Sequence, residues 1–154
     1  MKIIFLDVDG VLNNMTWAKR MRDEGVHVFA EDMLEDRAIK LLKQIIDATG
    51  ADVVITSTWR THVAAMTHLL DQLAYYGIRP IAKTPRRGGL RGDEITAWMQ
   101  ECDEPFDEYV ILDDDSDMTV HMDHLVKTSF EHGLQPEHVT RAIEILNGGD
   151  RNDD

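Results

Sequence analysis

Two aspartates stand one residue apart at the point where an apolar run of the sequence ends. Residues 5–14 are FLDVDGVLNN, and Asp7 and Asp9 follow a short hydrophobic segment typical of a strand buried on both faces. In extended backbone the side chains of residues 7 and 9 point to the same side, so their charges repel each other unless a cation neutralises them. One carboxylate of such a pair can attack while its neighbour moves protons, which predicts catalysis beside a metal ion.

Two further apolar runs also end in chemically active side chains. ADVVITST contains Thr56 and Ser57 near its end, and EYVILDDD ends in Asp113, Asp114 and Asp115. Ligands of parallel sheets bind outside the carboxyl ends of the strands, so these groups are predicted to lie beside the first aspartate pair. Carboxylate oxygens with an open coordination sphere suit Mg²⁺, which binds one or two carboxylates together with substrate phosphate. The sequence therefore predicts a Mg²⁺ site with room for a phosphorylated substrate.

The elements that must position these groups alternate between strand and helix patterns. Strands are predicted at residues 2–7, 51–58, 78–82, 108–115 and 124–129. Helices are predicted at residues 35–50, 59–77, 91–102 and 135–149. This alternation indicates an α/β fold in which helices cover both faces of a mainly parallel sheet.

Length and composition fit one globular domain without a membrane-spanning segment. The 154 residues are predicted to form a single domain over 1–154, with about 148–154 as a flexible tail. The chain contains no run of about 18 apolar residues, which argues against a membrane span. The sole cysteine, Cys102, excludes an internal disulfide and a cysteine-rich zinc site. We therefore expect a protein suited to a reducing, cytoplasmic environment.

The distribution of charge leaves two interpretations of one arginine-rich loop open. The formal net charge of −13 disfavours non-specific binding to nucleic acid, which depends on basic surface. The segment TPRRGGLRGD nevertheless holds Arg86, Arg87 and Arg91 within six positions, the densest positive patch of the chain. This segment is either a solvated loop or a surface on which Arg86 and Arg87 contact the backbone phosphates of a nucleic-acid end.

The motifs, taken in order, resemble those of the haloacid dehalogenase-like phosphatases. DVDGV is similar to the first motif of that family, D-x-D-G-[TV], VVITSTW to the second, and VILDDDSD to the fourth. The third motif is a Lys or Arg before a helix, usually Lys, and Arg91 and Lys83 are both candidates for it. The strings STWR, RGDEI and ILDDDSDM also resemble a narrower branch, the phosphatase-type domains found with RNA-repair proteins and in phages. The resemblance covers residues 2–117 and implies a Rossmann-like three-layer α/β/α sandwich.

The resemblance implies a Mg²⁺-dependent phosphomonoester hydrolase that works through an aspartyl-phosphate intermediate. In such an enzyme Asp7 is the nucleophile, and Asp9 protonates the leaving oxygen and later activates water. Either Thr56 or Ser57 hydrogen-bonds the phosphoryl oxygens. Arg91 balances the charge of the nucleophile and of the phosphate.

The same resemblance implies which residues bind the metal. Asp7, the backbone carbonyl of Asp9, Asp113 and Asp114 are expected to hold Mg²⁺. Asp117 is a further candidate ligand, with the capping of a following turn as the alternative role for its side chain.

The natural substrate is the least determined part of the prediction. Residues 11–34 leave room for only a short flap, so a minimal or absent cap and an open site are expected. An open site in this family suits macromolecular ends, and nucleic-acid 3′ ends or nucleotides are the leading candidates. A small-metabolite phosphatase is the first alternative, and a non-catalytic phosphate- or partner-binding module is the second. The sequence does not indicate the oligomeric state.

Overall fold

The computed structural model describes residues 1–26 and 34–149, and these residues contain a five-stranded, all-parallel sheet. The strands are β1 (Lys2–Leu6), β2 (Asp52–Ile55), β3 (Ala82–Lys83), β4 (Glu108–Asp113) and β5 (Leu125–Lys127). Their spatial order is β3-β2-β1-β4-β5, so β1 lies at the centre between β2 and β4. The prediction of a parallel sheet is confirmed.

Helices cover both faces of this sheet. The α-helices are α1 (Met15–Asp23), α2 (Asp36–Thr49), α3 (Val63–Tyr75), α4 (Arg91–Glu101) and α5 (Pro136–Leu146). Buried side chains of α2, α3 and α5 share one hydrophobic cluster with Ile4 and Leu6 of β1. Those of α4 pack with Ile3 and Phe5 in a second cluster. Because side chains alternate across a strand, the two clusters lie on opposite faces, and the three-layer α/β/α sandwich is confirmed.

Two of the predicted boundaries are wrong for identifiable reasons. The strand predicted at 78–82 is found at Ala82–Lys83, because Pro80 has no N–H to donate and sheet pairing begins with the Ile81 amide, 2.9 Å from the Val53 carbonyl. The helix predicted from residue 59 begins as a 3₁₀ turn, Thr58–Thr61, before α3. The Ser57 side chain accepts a hydrogen bond from the Trp59 amide and so caps this tight turn.

The stretch predicted to be a short flap contains helix α1. The side chain of Asn14 caps this helix by accepting a hydrogen bond of 2.8 Å from the Trp17 amide. Part of the flap prediction, residues 27–33, lies outside the described residues, as does most of the predicted tail, residues 150–154. None of the helices in the described ranges has the length and apolar character needed to cross a bilayer.

Candidate active site

The carboxyl ends of the three central strands bring the predicted site residues together. The pairing of β1 continues past its last residue, since the Asp7 amide donates to the Leu112 carbonyl at 3.0 Å. The Thr56 amide likewise donates to the Leu6 carbonyl at 2.9 Å. Asp113 is the last residue of β4. The first, second and fourth motifs are therefore held side by side by sheet hydrogen bonds rather than by flexible loops.

Three carboxylates form a tight cluster at this edge. Asp7, Asp113 and Asp114 each offer an oxygen, and these oxygens lie within 4.8 Å of one another. Asp7 and Asp113 are buried, and Asp114 is half-buried. Burial and the charge of Asp7 raise the pKa of Asp113 to about 8, and burial also raises the pKa values of Asp7 and Asp114. Like charges held this closely call for a cation, and hard oxygen donors are the set that Mg²⁺ prefers, so the residues fit this metal.

The Asp9 carboxylate is held by other partners than this cluster. The Asn13 side-chain amide donates to it at 2.9 Å, and the indole N–H of Trp59 lies 3.2 and 3.3 Å from its two oxygens. Two donors from different elements fix the orientation of the carboxylate. The expected contact of its backbone carbonyl with the metal stays a prediction.

Gly10, which completes the first motif, is required by both its backbone and its surroundings. Its φ of +80° lies in the left-handed region that glycine adopts most readily. A Cβ at this position would also collide with the side chain of Asp114. The glycine therefore lets the fourth-motif carboxylate approach the first-motif loop closely.

Arg91 supplies the positive charge at the centre of the site. Its Nη1 lies 3.3 Å from the Asp7 carboxylate, 3.5 Å from that of Asp113 and 3.2 Å from the Thr56 hydroxyl. Burial opposes the charged form, but the two carboxylates outweigh this effect and raise the pKa of Arg91. Lys83, the other candidate for the third motif, lies exposed on edge strand β3. The structure thus brings Arg91 to the other site residues, while Lys83 lies at the edge of the sheet.

The two hydroxyls after β2 have different surroundings. Thr56 and Ser57 are both fully buried. The Thr56 hydroxyl contacts the Arg91 guanidinium, whereas that of Ser57 accepts the amide of Trp59 at 3.1 Å. Only the Thr56 hydroxyl is thus in contact with the charged centre.

Asp117 joins the loop after β4 to the start of α4. Its side chain accepts the Arg91 amide at 3.1 Å, and its carbonyl accepts the Gly92 amide at 2.9 Å. A Cβ on Gly92 would collide with the carbonyl of Met118, so the two segments are in direct backbone contact. The Asp117 side chain thus caps the start of α4, which precedes it in the chain, and not the following turn that the sequence suggested. A metal-binding role for Asp117 stays a prediction.

A buried ion pair that the sequence did not predict lies beside the site. Arg60 is 8 % exposed, and its guanidinium contacts the carbonyls of Thr56, Ser57 and Thr84. Its remaining partner is the Glu94 carboxylate at 2.8 Å, whose same oxygen lies 3.9 Å from Nε of Arg91. Glu94 therefore links the loop after β2 to Arg91. The strings STWR and RGDEI contain both residues, but the two lie 34 positions apart, and nothing local pairs them.

This strand order and this set of carboxylates, hydroxyl and arginine at the carboxyl edge define a haloacid dehalogenase-like domain. A family model described as the HAD domain in Swiss Army Knife RNA repair proteins matches residues 3–139. The chain belongs to that family, so the predicted resemblance is confirmed. No curated protein and no solved structure matches the chain significantly. Membership supports phosphatase-type chemistry on a phosphorylated substrate, and HAD domains generally use Mg²⁺.

Proposed function

We propose that the protein is a Mg²⁺-dependent phosphomonoester hydrolase that forms an aspartyl-phosphate intermediate. The observation that carries this proposal is the Arg91 guanidinium, which contacts Asp7, Asp113 and Thr56 at once. A phosphoryl group that approaches Asp7 meets a positive charge and a hydroxyl donor at the point where negative charge develops. Phosphoryl transfer depends mainly on such positioning and charge neutralisation.

In the first half of the reaction, a carboxylate oxygen of Asp7 forms a bond to phosphorus and the bond from phosphorus to the leaving oxygen breaks. Asp9 donates a proton to that oxygen, which departs as an alcohol. In the second half, Asp9 removes a proton from water, the water oxygen attacks phosphorus, and inorganic phosphate leaves Asp7. Thr56 and Arg91 hold the phosphoryl oxygens throughout.

Asp7, Asp113 and Asp114 would hold the Mg²⁺ ion, together with the backbone carbonyl of Asp9. When bound, the ion would neutralise charge on these carboxylates and on the phosphoryl oxygens. Burial and the charge of Asp7 raise the pKa of Asp113 although Arg91 lies beside it, so the ionised cluster calls for a further cation.

The orientation of Asp9 favours an enzyme over a non-catalytic phosphate-binding module. Its side chain is held by Asn13 and Trp59 and is not one of the three clustered metal-binding carboxylates. A module that only bound phosphate would gain nothing from a second oriented carboxylate, whose charge repels the ligand. A proton-transfer role explains why the group is held in place.

For the substrate, we propose a nucleic-acid end. The matched family is described by its occurrence in RNA repair proteins, and the Arg86–Arg91 loop borders the site. The net charge of −13 favours the alternative, a small phosphorylated metabolite. A panel of 3′- and 5′-phosphorylated oligonucleotides, nucleotides and sugar phosphates, with and without Mg²⁺, decides between them. Phosphate release from the oligonucleotides at the highest kcat/KM is expected, and greater efficiency on sugar phosphates would select the alternative.

Replacing Trp59 with phenylalanine is expected to slow the reaction by misorienting Asp9. The variant loses the indole N–H that contacts both oxygens of Asp9, and kcat/KM, which reports the transfer of phosphate to Asp7, should fall about tenfold for alkyl phosphates, whose leaving oxygen needs a proton. Nitrophenyl phosphate, whose leaving group needs no proton, should be affected much less. Trp98→Phe is the matched control, because Trp98 packs against Phe5 on the other face of the sheet. Equal losses on the two substrates would show that Trp59 has only a packing role.

A further inference from the structure

A pocket of about 260 Å³ adjoins the proposed phosphoryl site. Arg91 belongs to both, because its guanidinium contacts Asp7 while the same residue lines the pocket. The other walls come from the 3₁₀ turn after β2, at Thr58 and Thr61, and from the loop before α4, at Arg86 and Gly88. A substrate whose reacting phosphate lies on Asp7 therefore has a second polar compartment within reach.

Two adjacent arginines of the loop differ in their surroundings. The guanidinium of Arg87 lies 2.9 Å from the carboxylate of Glu101, at the far end of α4. Arg86 is exposed and lines the pocket, and within residues 1–26 and 34–149 its side chain forms no ion pair. Arg86 and Arg87 were predicted to contact nucleic-acid phosphates together, but in the structure they have different surroundings. Arg86 belongs to the pocket, and Arg87 is engaged elsewhere.

Both acidic residues of the pocket are already held by other groups of the protein. Glu94 forms the buried ion pair with Arg60 and accepts the backbone amide of Arg87 at 2.9 Å. Asp117 accepts the Arg91 amide. The guanidinium of Arg60 is occupied by Glu94 and by three carbonyls, and that of Arg91 by Asp7 and Asp113. Among the arginines that line the pocket, Arg86 therefore has the charge that is available to a ligand. The Thr61 hydroxyl donates to the Thr58 carbonyl at 2.8 Å, so the Thr58 side chain is the threonine available beside this guanidinium. Such a pocket fits an anion with several acceptor oxygens.

We propose that this pocket binds a second phosphate group of the substrate, held by Arg86, while the reacting phosphate lies on Asp7. The inference rests on the proposed hydrolase function and specifies its substrate as one that carries two phosphates. The second phosphate is either the last phosphodiester of a nucleic-acid strand or the second phosphate of a small bisphosphate. Both present the same anionic oxygens to Arg86.

The test compares pairs of substrates in which one member carries a second anionic phosphate and the other does not. Two 3′-phosphorylated dinucleotides with 2′-O-methyl ribose are compared, one with an ordinary phosphodiester and one with a neutral methylphosphonate linkage. A nucleoside 3′-monophosphate and a nucleoside 3′,5′-bisphosphate form the second pair, with release of the 3′-phosphate measured. We expect wild-type kcat/KM to be about tenfold higher for the member of each pair that carries the second anionic phosphate, the effect of one charge-assisted hydrogen bond. A preference in the dinucleotide pair identifies a nucleic-acid phosphate, and a preference confined to the mononucleotide pair identifies a small bisphosphate.

Arg86→Ala should reduce this preference to about one, and Arg86→Lys should restore part of it. Arg87→Ala is the matched control and should retain the full preference, because its side chain pairs with Glu101. Hydrolysis of all four substrates by wild type without preference overturns the second-phosphate site and leaves the hydrolase intact. An unchanged preference in Arg86→Ala also overturns it. If wild type hydrolyses neither these four substrates nor any member of the substrate panel, the proposed function itself is rejected, and the inference with it.

Discussion

Replacing Asp7 with asparagine is expected to reduce phosphate release by about a thousandfold or more, the scale seen when a covalent nucleophile is removed. The amide has the same shape as the carboxylate but does not attack phosphorus. Because Asp7 is joined to β4 through its backbone amide, the fold should survive the change. The measurement is the steady-state rate on the best substrate of the panel, with circular dichroism to verify folding.

A second measurement tests the intermediate directly. Wild-type protein quenched in acid after mixing with radiolabelled substrate should carry label that hydroxylamine removes, as expected of an acyl phosphate. Asp7→Asn should carry none. Asp52→Asn, the same change at the amino end of β2, should be labelled like wild type. Rapid turnover by Asp7→Asn, or label that resists hydroxylamine, would eliminate the aspartyl-phosphate mechanism.

Replacing Asp113 with alanine is expected to weaken Mg²⁺ binding by at least about tenfold, since it removes one of the three clustered carboxylates. Chelation of the metal should abolish activity in wild type, and added Mg²⁺ should restore it. Asp115→Ala is the matched control from the same run of acids, because the Asp115 side chain is exposed and accepts only the neighbouring Ser116 amide among the described contacts. Full activity of wild type in excess chelator would remove the metal from the mechanism.

The pH dependence of this binding has a defined sign. The pKa of Asp113 is raised to about 8, so the metal-free fold favours the protonated carboxyl. That contribution to the free energy of unfolding is present at low pH and is lost as the pH rises through about 8. Mg²⁺ binds the ionised form and displaces the proton, so its apparent affinity should rise from pH 6 towards 8 and then level off. Calorimetric titration with Mg²⁺ at several pH values measures this slope, and an affinity that does not depend on pH would contradict it.

The positions of the site residues in the chain were predictable because they depend on local patterns. Short apolar runs that end in polar residues identified Asp7, Thr56 and Asp113, and the carboxyl-end rule for parallel sheets brought them together. Ile78, at the start of the strand predicted over 78–82, was misleading. Its apolar side chain packs into the main core, but the residue does not belong to a strand. Composition alone did not separate a buried strand from a buried segment of loop.

The partners of these residues were not predictable, since they come from distant parts of the chain. The indole of Trp59 reaches Asp9 across 50 positions, and the buried pair of Arg60 and Glu94 depends on how α4 packs beside the β2 loop. An arginine side chain is usually exposed to solvent, and it is rarely buried unless it has a partner. Only the packing of the elements shows that Arg60 is buried.

The contact of Gly92 with the Met118 carbonyl has a consequence for how the site responds to its medium. Gly92 follows Arg91, and Met118 follows the β4 carboxylates, so this backbone contact sets the spacing between the positive and negative parts of the site. That spacing is a property of steric contact and main-chain hydrogen bonds, which salt hardly changes, rather than of the attraction between the charges, which salt screens. Ionic strength should therefore change the rate at which a phosphorylated substrate associates with the site, but not the geometry of the site.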